Sequence, residues 1–167
     1  MVNAFVVEWL GPYTDPKKVD VSNILYLITG NLPQGPVSEK IRYVGITTND
    51  PATRFNKNHK FWTLTEDNRK FWVGKIKGCS IQRYSDAEWL LVHFLHLQKD
   101  NTAVFLLNER KINEPKNPIC VINRWFKANN GEEYVNYIFP FKHIPDMLFW
   151  NPSERELLTS KKIYVEK

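Results

Sequence analysis

Apolar residues along this chain fall mainly into short runs of strand character, and one longer run has helical spacing. Ile24-Leu25-Tyr26-Leu27-Ile28 and Ile41 to Thr47 are rich in β-branched and aromatic residues, which suit a pleated, half-buried surface. A loop of about eleven residues containing Gly30, Pro33, Gly35 and Pro36 separates them. That is long for a hairpin, yet the two strands are expected to pair antiparallel. Alternation sends Tyr26 to the opposite face from Leu25 and Leu27. Phe71 to Lys77 reads as a third strand closed by Gly78, with Ile81 to Tyr84 extending it past a bulge. Ala4 to Leu10 is an apolar run stopped by Gly11-Pro12, expected as a lead-in strand or turn. Near the C-terminus, Ile119 to Lys127 and Tyr134 to Phe139 flank Asn129-Asn130-Gly131, a hairpin turn signal. A short helix is expected after Asn151-Pro152-Ser153, and a final strand at Lys162 to Val165.

Helical signals are fewer. Asn49-Asp50-Pro51 offers a capping side chain and then proline in the first turn, so a helix carrying Arg54 is expected to run to about Asn58. From Ser85 to Gln98 apolar residues stand at 87, 89, 90, 91, 92, 94, 95 and 97. They nearly encircle the axis, which predicts a central, mostly buried helix. Glu88 lies near its start, and Ser85-x-x-Glu88 fits a capping box in which Glu88 bonds back to the Ser85 N–H.

Composition narrows the class without naming a function. The chain has 167 residues, which allows one domain with modest extensions and a true core. A net charge of +5 and a pI near 9.1 favour an anionic partner. Cys79 and Cys120 are the only thiols and form no CxxC, so two reduced, partly buried thiols are expected rather than a disulfide framework or zinc site. No run is long enough to cross a bilayer, and the N-terminus lacks a signal-peptide pattern. A soluble, cytoplasmic protein is expected.

The polar residues that interrupt these elements form an ordered series: Tyr26 on the first strand, Tyr43 opening the second as Tyr43-Val44-Gly45, then Arg54 and His59, Glu88, and Asn108. The series resembles the core of the GIY-YIG nuclease family from about Ser22 to Arg110. One departure is visible: the glycine of the family's first motif is replaced by Ile24 in Ile24-Leu25-Tyr26. That glycine is structural rather than chemical.

The resemblance implies an endonuclease that hydrolyses DNA phosphodiesters by one-metal, in-line attack of water, with Mg²⁺ or Mn²⁺ as the metal. Such a reaction needs an activated water, neutralised charge on the pentavalent phosphorus and a stabilised leaving oxygen. By position, Tyr26 acts as the general base or relays to it, and Tyr43 orients the nucleophile or a phosphate oxygen. Arg54, with its planar fork, suits the non-bridging oxygens of the scissile phosphate. His59 assists base or leaving-group chemistry or contacts phosphate. Glu88 is the metal ligand, against the capping-box reading of the same side chain. Asn108 helps hold the cleft. His93 and His96 are spaced i, i+3 without an evident third ligand and stay outside the site.

Lys57, Lys60, Arg69, Lys70, Lys75 and Lys77 are interleaved with Phe61, Trp62, Phe71 and Trp72. Basic residues beside aromatics can track phosphates and stack on bases, and Arg124 can add contacts from the C-terminal hairpin. The implied fold is α+β, a small central, mostly antiparallel sheet flanked by helices. Residues 1–21 would be a lead-in, 22–112 the nuclease-like domain and 113–167 a β-rich extension packed on it. That extension is too short for a separate recognition module, so specificity is expected from it, from a homodimer or from an accessory partner. Two alternatives stay open: a catalytically inactive nucleic-acid-binding module of the same fold, and a protein-interaction domain.

Overall fold

The computed structural model describes residues 2–35, 38–77, 81–98, 100–109, 112–136 and 138–160. Seven strands form one mixed sheet: β1 (Asn3–Tyr13), β2 (Ile24–Gly30), β3 (Lys40–Thr47), β4 (Lys70–Ile76), β5 (Ile119–Lys127), β6 (Met147–Asn151) and β7 (Glu156–Ser160). Their order is β3-β2-β4-β1-β5-β6-β7. Every neighbouring pair is antiparallel except β1 and β5, which run parallel. Among the described residues only α1 (Pro51–Arg54) and α2 (Ile81–Leu97) are α-helical.

This corrects the expected α+β architecture. The protein is mostly β, a curled mixed sheet rather than a small sheet flanked by helices. The reason lies in β1. Its alternating residues Phe5, Val7 and Trp9 are buried, and both of its edges are hydrogen-bonded, one to β4 and the other to β5. The run that read as a lead-in is the middle strand of the sheet.

Several local expectations are also corrected. The helix bearing Arg54 stops after one turn, because Phe55 leaves helical backbone angles (φ −85°, ψ 60°) and its ring packs against Tyr26, His59 and Phe61. The Asn56 side chain then accepts from the Asn58 N–H, a local turn that competes with further helix. Residues Ile81 to Tyr84 are the first turn of α2, not a strand extension. Past the Asn129-Asn130-Gly131 turn the chain does fold back on β5, but only through an isolated antiparallel bridge between Glu133 and Phe126 and the bond from the Tyr134 N–H to the Trp125 carbonyl. No strand is formed among the described residues that follow, up to β6. Tyr134 turns its ring onto Trp72 and Phe141, and β6 is the strand that pairs with Ile119 to Ile122 of β5. After Asn151 the chain makes a turn, with Asn151 Oδ1 accepting from the Ser153 N–H, and enters β7 instead of a helix. Cys79, Gly78 and the strand expected at Lys162 to Val165 lie outside the described residues.

Two apolar layers cover the sheet. Leu25, Leu27, Val44 and Trp72 share the inner layer with Ala87, Leu90, Leu91, Phe94 and Leu95 of α2. Ile24, Tyr26, Ile28, Phe71 and Val73 share the outer layer with Val19, Phe55, Phe61 and Leu64. The alternation expected for β2 therefore holds residue by residue. No helix among the described residues is long and apolar enough to cross a membrane.

Candidate active site

β3 is an edge strand, and the candidate site is built around that edge. Tyr26 pairs with Gly45 across β2 and β3, and the Tyr26 and Tyr43 rings stack at 5.8 Å with planes 8° apart. Glycine at 45 is a steric necessity: a Cβ there would lie 2.5 Å from both Cζ and Oη of Tyr26 and 2.7 Å from Cε1 of Tyr43. The bare backbone serves as the floor on which both phenols rest. Ile24 is fully buried in the outer layer, in the same cluster as Tyr26.

Behind the phenols sits His59, at the N-cap of the 3-10 turn Lys60–Thr63. Its Nδ1 accepts from the Phe61 N–H at 3.1 Å, so the neutral ring carries its hydrogen on Nε2. Nε2 lies 3.3 Å from Tyr26 Oη and therefore donates to it. Burial first, then the Arg54 guanidinium, pushes the His59 pKa down to about 4, so the ring is neutral at physiological pH. Tyr26 is wholly inaccessible to solvent, and its pKa is raised far above the usual phenol range. Burial is the main cause, followed by the Tyr43 phenol, with Glu88 adding to the rise and Arg54 opposing it. Tyr26 stays protonated. Its oxygen accepts from His59, which leaves its own hydrogen to donate.

Arg54 ends the one-turn helix α1. That turn is fixed by Asp50, whose carboxylate accepts from the Thr53 N–H at 3.0 Å and the Thr53 hydroxyl at 2.9 Å, and by Pro51 at its start. The Arg54 guanidinium lies 5.8 Å from the centre of the Tyr26 ring. From the opposite face of the sheet α2 brings Ser85 and Glu88 past β3. Tyr43, Arg54, Ser85, Glu88, Asn108 and Asn113, with Ile46 and Ile112, line one cleft of about 230 Å³. Ser85 lies inside α2, four residues past its first. It is no N-cap, and the capping-box reading of Glu88 is withdrawn.

Asn108 closes the sheet edge beside this cleft. Its Nδ2 donates to the Val44 carbonyl at 2.7 Å, and its Oδ1 accepts from the Val44 N–H at 3.2 Å. Upstream, Ile41 donates to the Ala103 carbonyl and accepts from the Phe105 N–H, and the Arg42 carbonyl accepts from the Leu107 N–H. The segment 103–108 thus covers the otherwise open edge of β3, with the Asn108 amide standing in for a backbone unit.

Of the six residues singled out for chemistry, Tyr43, Arg54, Glu88 and Asn108 meet in the cleft, and Tyr26 and His59 back it. Ser85 and Asn113 also line it and were not singled out. The Ser85 signal was its place one turn before Glu88 on the same helix face; Asn113 had none. Among the described residues no group of three or more His, Cys, Asp or Glu could hold a metal ion. The donor set is one carboxylate with a hydroxyl and an amide nearby. That fits a hard, largely hydrated cation such as Mg²⁺ and does not fit a zinc cage.

The cationic residues are less concentrated than their sequence spacing implied. Five have acidic partners: Lys60 with Glu109 at 2.7 Å, Lys70 with Glu39 at 3.1 Å, Lys77 with Glu8 at 2.9 Å, Arg124 with Glu133 at 2.8 Å and Arg69 with Glu66 at 3.9 Å. Arg69 also lies over the Trp62 ring at 4.5 Å. Lys57 and Lys75 are exposed. His93 stacks on Trp89 and meets Trp150 edge-on, joining α2 to β6 away from the cleft. No family model matches this sequence, and neither a curated protein nor a solved structure matches it.

Proposed function

We propose that this protein is a metal-dependent DNA endonuclease acting inside the cell. One observation carries the reading: a guanidinium, a phenol and a carboxylate from three separate elements line a single cleft, with a second phenol and a neutral imidazole packed behind the first. These are the groups that a phosphodiester hydrolase needs at its reacting phosphorus.

In this reading Arg54 binds two non-bridging oxygens of the scissile phosphate and neutralises the charge that builds there. Tyr43, half-exposed at the cleft wall, holds the attacking water through its hydroxyl and aligns it with phosphorus. As the new P–O bond forms and the bond to the leaving oxygen breaks, the water's proton passes to solvent in the cleft and the leaving oxygen takes one up. Tyr26 is a buried donor behind Tyr43 rather than a general base, because its raised pKa keeps the phenolate scarce. His59 orients Tyr26 and, being neutral, does not compete with Arg54 for the phosphate. Glu88 would hold Mg²⁺ or Mn²⁺, aided through water by Ser85 and Asn113. When bound, that cation supplies Lewis-acid stabilisation of the leaving oxygen. Asn108 is a positioning residue that keeps β3, and with it Tyr43, in place.

The deciding experiment is a plasmid-nicking assay with Mg²⁺, with Mn²⁺ and with chelator, on wild type and Glu88→Gln. Metal-dependent nicking by wild type alone is expected. Equal nicking by both proteins, or none by wild type on duplex, branched and single-stranded DNA, would end the reading.

A further inference from the structure

The sheet face that carries Tyr26 has a second concavity that the proposed chemistry leaves unused. Register places Gly45, Tyr26, Val73, Leu10 and Phe126 in one transverse row across five strands. At Tyr26 this face is covered by Phe55 and Phe61. Two strands further on, at Leu10, it opens into a groove of about 420 Å³. Neighbouring strands lie about 4.8 Å apart, so Leu10 lies roughly 10 Å from Tyr26. Leu10, Val73 and Phe126 of that row give it an apolar floor, and Tyr13, Val19 and Val21 also line it.

Charge is gathered at one rim. Lys75 on β4 and Lys77 just past its end both line the groove together with Glu8. Lys77 is paired with Glu8 at 2.9 Å, whereas Lys75 is exposed, so these three charged residues leave the rim with one net positive charge. On the side toward the cleft, Lys17 and Lys18 are exposed on the 3-10 turn Pro16–Lys18, which packs against α1. The turn that carries these two lysines is thus a neighbour of the helix that carries Arg54.

We infer that this groove binds one unpaired nucleotide of the substrate strand, its base on the apolar floor and its phosphate at Lys75. The inference rests on the nuclease reading for the identity of the strand. A duplex presents phosphates and sugars outward and no apolar face, so it does not match an apolar floor. An extruded or single-stranded base does. The volume lies within the range of small-ligand pockets, about 300–1,000 Å³, and suits one nucleotide rather than a helix.

The test measures fluorescence anisotropy in chelator, so that nothing is cut, with a blunt duplex and the same duplex bearing an oligothymidylate tail. Wild type should bind the tailed duplex about tenfold more tightly. Lys75→Ala should remove most of that preference and lower the salt slope by about one. Val21→Trp, which fills the groove, should remove the preference with the blunt-duplex affinity unchanged. Equal wild-type affinity for the two duplexes would overturn the inference, and so would a preference that survives Lys75→Ala. If Val21→Trp does not fold, Lys75→Ala decides alone. Tail preference without metal-dependent nicking would count against the nuclease reading and leave the groove standing, while nicking without tail preference would do the reverse.

Discussion

The Tyr26 hydroxyl lies 3.3 Å from Nε2 of His59, whose other ring nitrogen is occupied by the Phe61 N–H. Two buried polar side chains from a strand and a turn thereby satisfy one another, and the direction of donation is set by a backbone amide. Donation runs from the backbone through imidazole to phenol.

This relationship predicts a pH dependence of stability. His59 has an ordinary value of 6.5 and a folded value of about 4, so between them the unfolded chain binds more protons and stability rises with pH. The His59 contribution is fully present above about pH 6.5 and is lost as pH falls toward 4. Urea denaturation across that window should show the loss, and His59→Gln should flatten it. An unchanged slope in the variant would remove His59 as the cause.

Tyr26 predicts the opposite sign at alkaline pH. Its folded pKa lies above its unfolded value of 10.0, so its contribution is present below pH 10 and falls as pH rises beyond it. Ultraviolet titration should show one tyrosine that ionises only with unfolding, and Tyr26→Phe should remove that step.

Gly45→Ala should destabilise the fold by about 1–3 kcal/mol, the usual cost of overpacking, because its Cβ would meet the Tyr26 ring. Coupling is expected: the same change in a Tyr26→Leu background should cost less than in wild type. Simple additivity in denaturant melts would contradict the seating of the phenols on this glycine.

Arg54→Ala should lower turnover by about 10²–10³-fold, the scale for one lost transition-state donor, with a much smaller change in DNA affinity. Comparable losses in both would make Arg54 a phosphate anchor. Glu88→Gln should abolish the thermal shift that Mn²⁺ gives the wild type, each protein being compared with its own metal-free melting temperature.

Asn108→Leu should cost about 1–3 kcal/mol by leaving both polar groups of Val44 unpaired. Amide exchange at Val44 and along 103–107 should speed up. Exchange that matches wild type would show that the segment is held without its side-chain clasp.

Much of the local detail was legible in the residues alone. Alternation within 24–28 separated Tyr26 from Leu25 and Leu27, Asp50-Pro51 marked the start of α1, and apolar spacing identified α2. These signals act over a few residues, so a short window contains both the cause and the effect. Partnership is different. Nothing near Phe5 or Trp9 reveals that β1 will take β4 on one side and β5 on the other, and this single fact turned the expected small sheet into a seven-stranded one. Likewise Asn108 finds Val44 across 64 positions, and Gly45 is obligatory only because two phenols arrive above it from separate strands.

The order and chemical type of the six polar residues were thus written in the chain itself, as was the face that each strand residue would take. Only the folded arrangement decided that Glu88 and Arg54 approach one edge from opposite faces, and that Tyr26 is sealed in while Tyr43 meets the cleft. Backbone preference and alternation are short-range effects, whereas burial, desolvation and the pairing of distant edges depend on which layers finally close over one another.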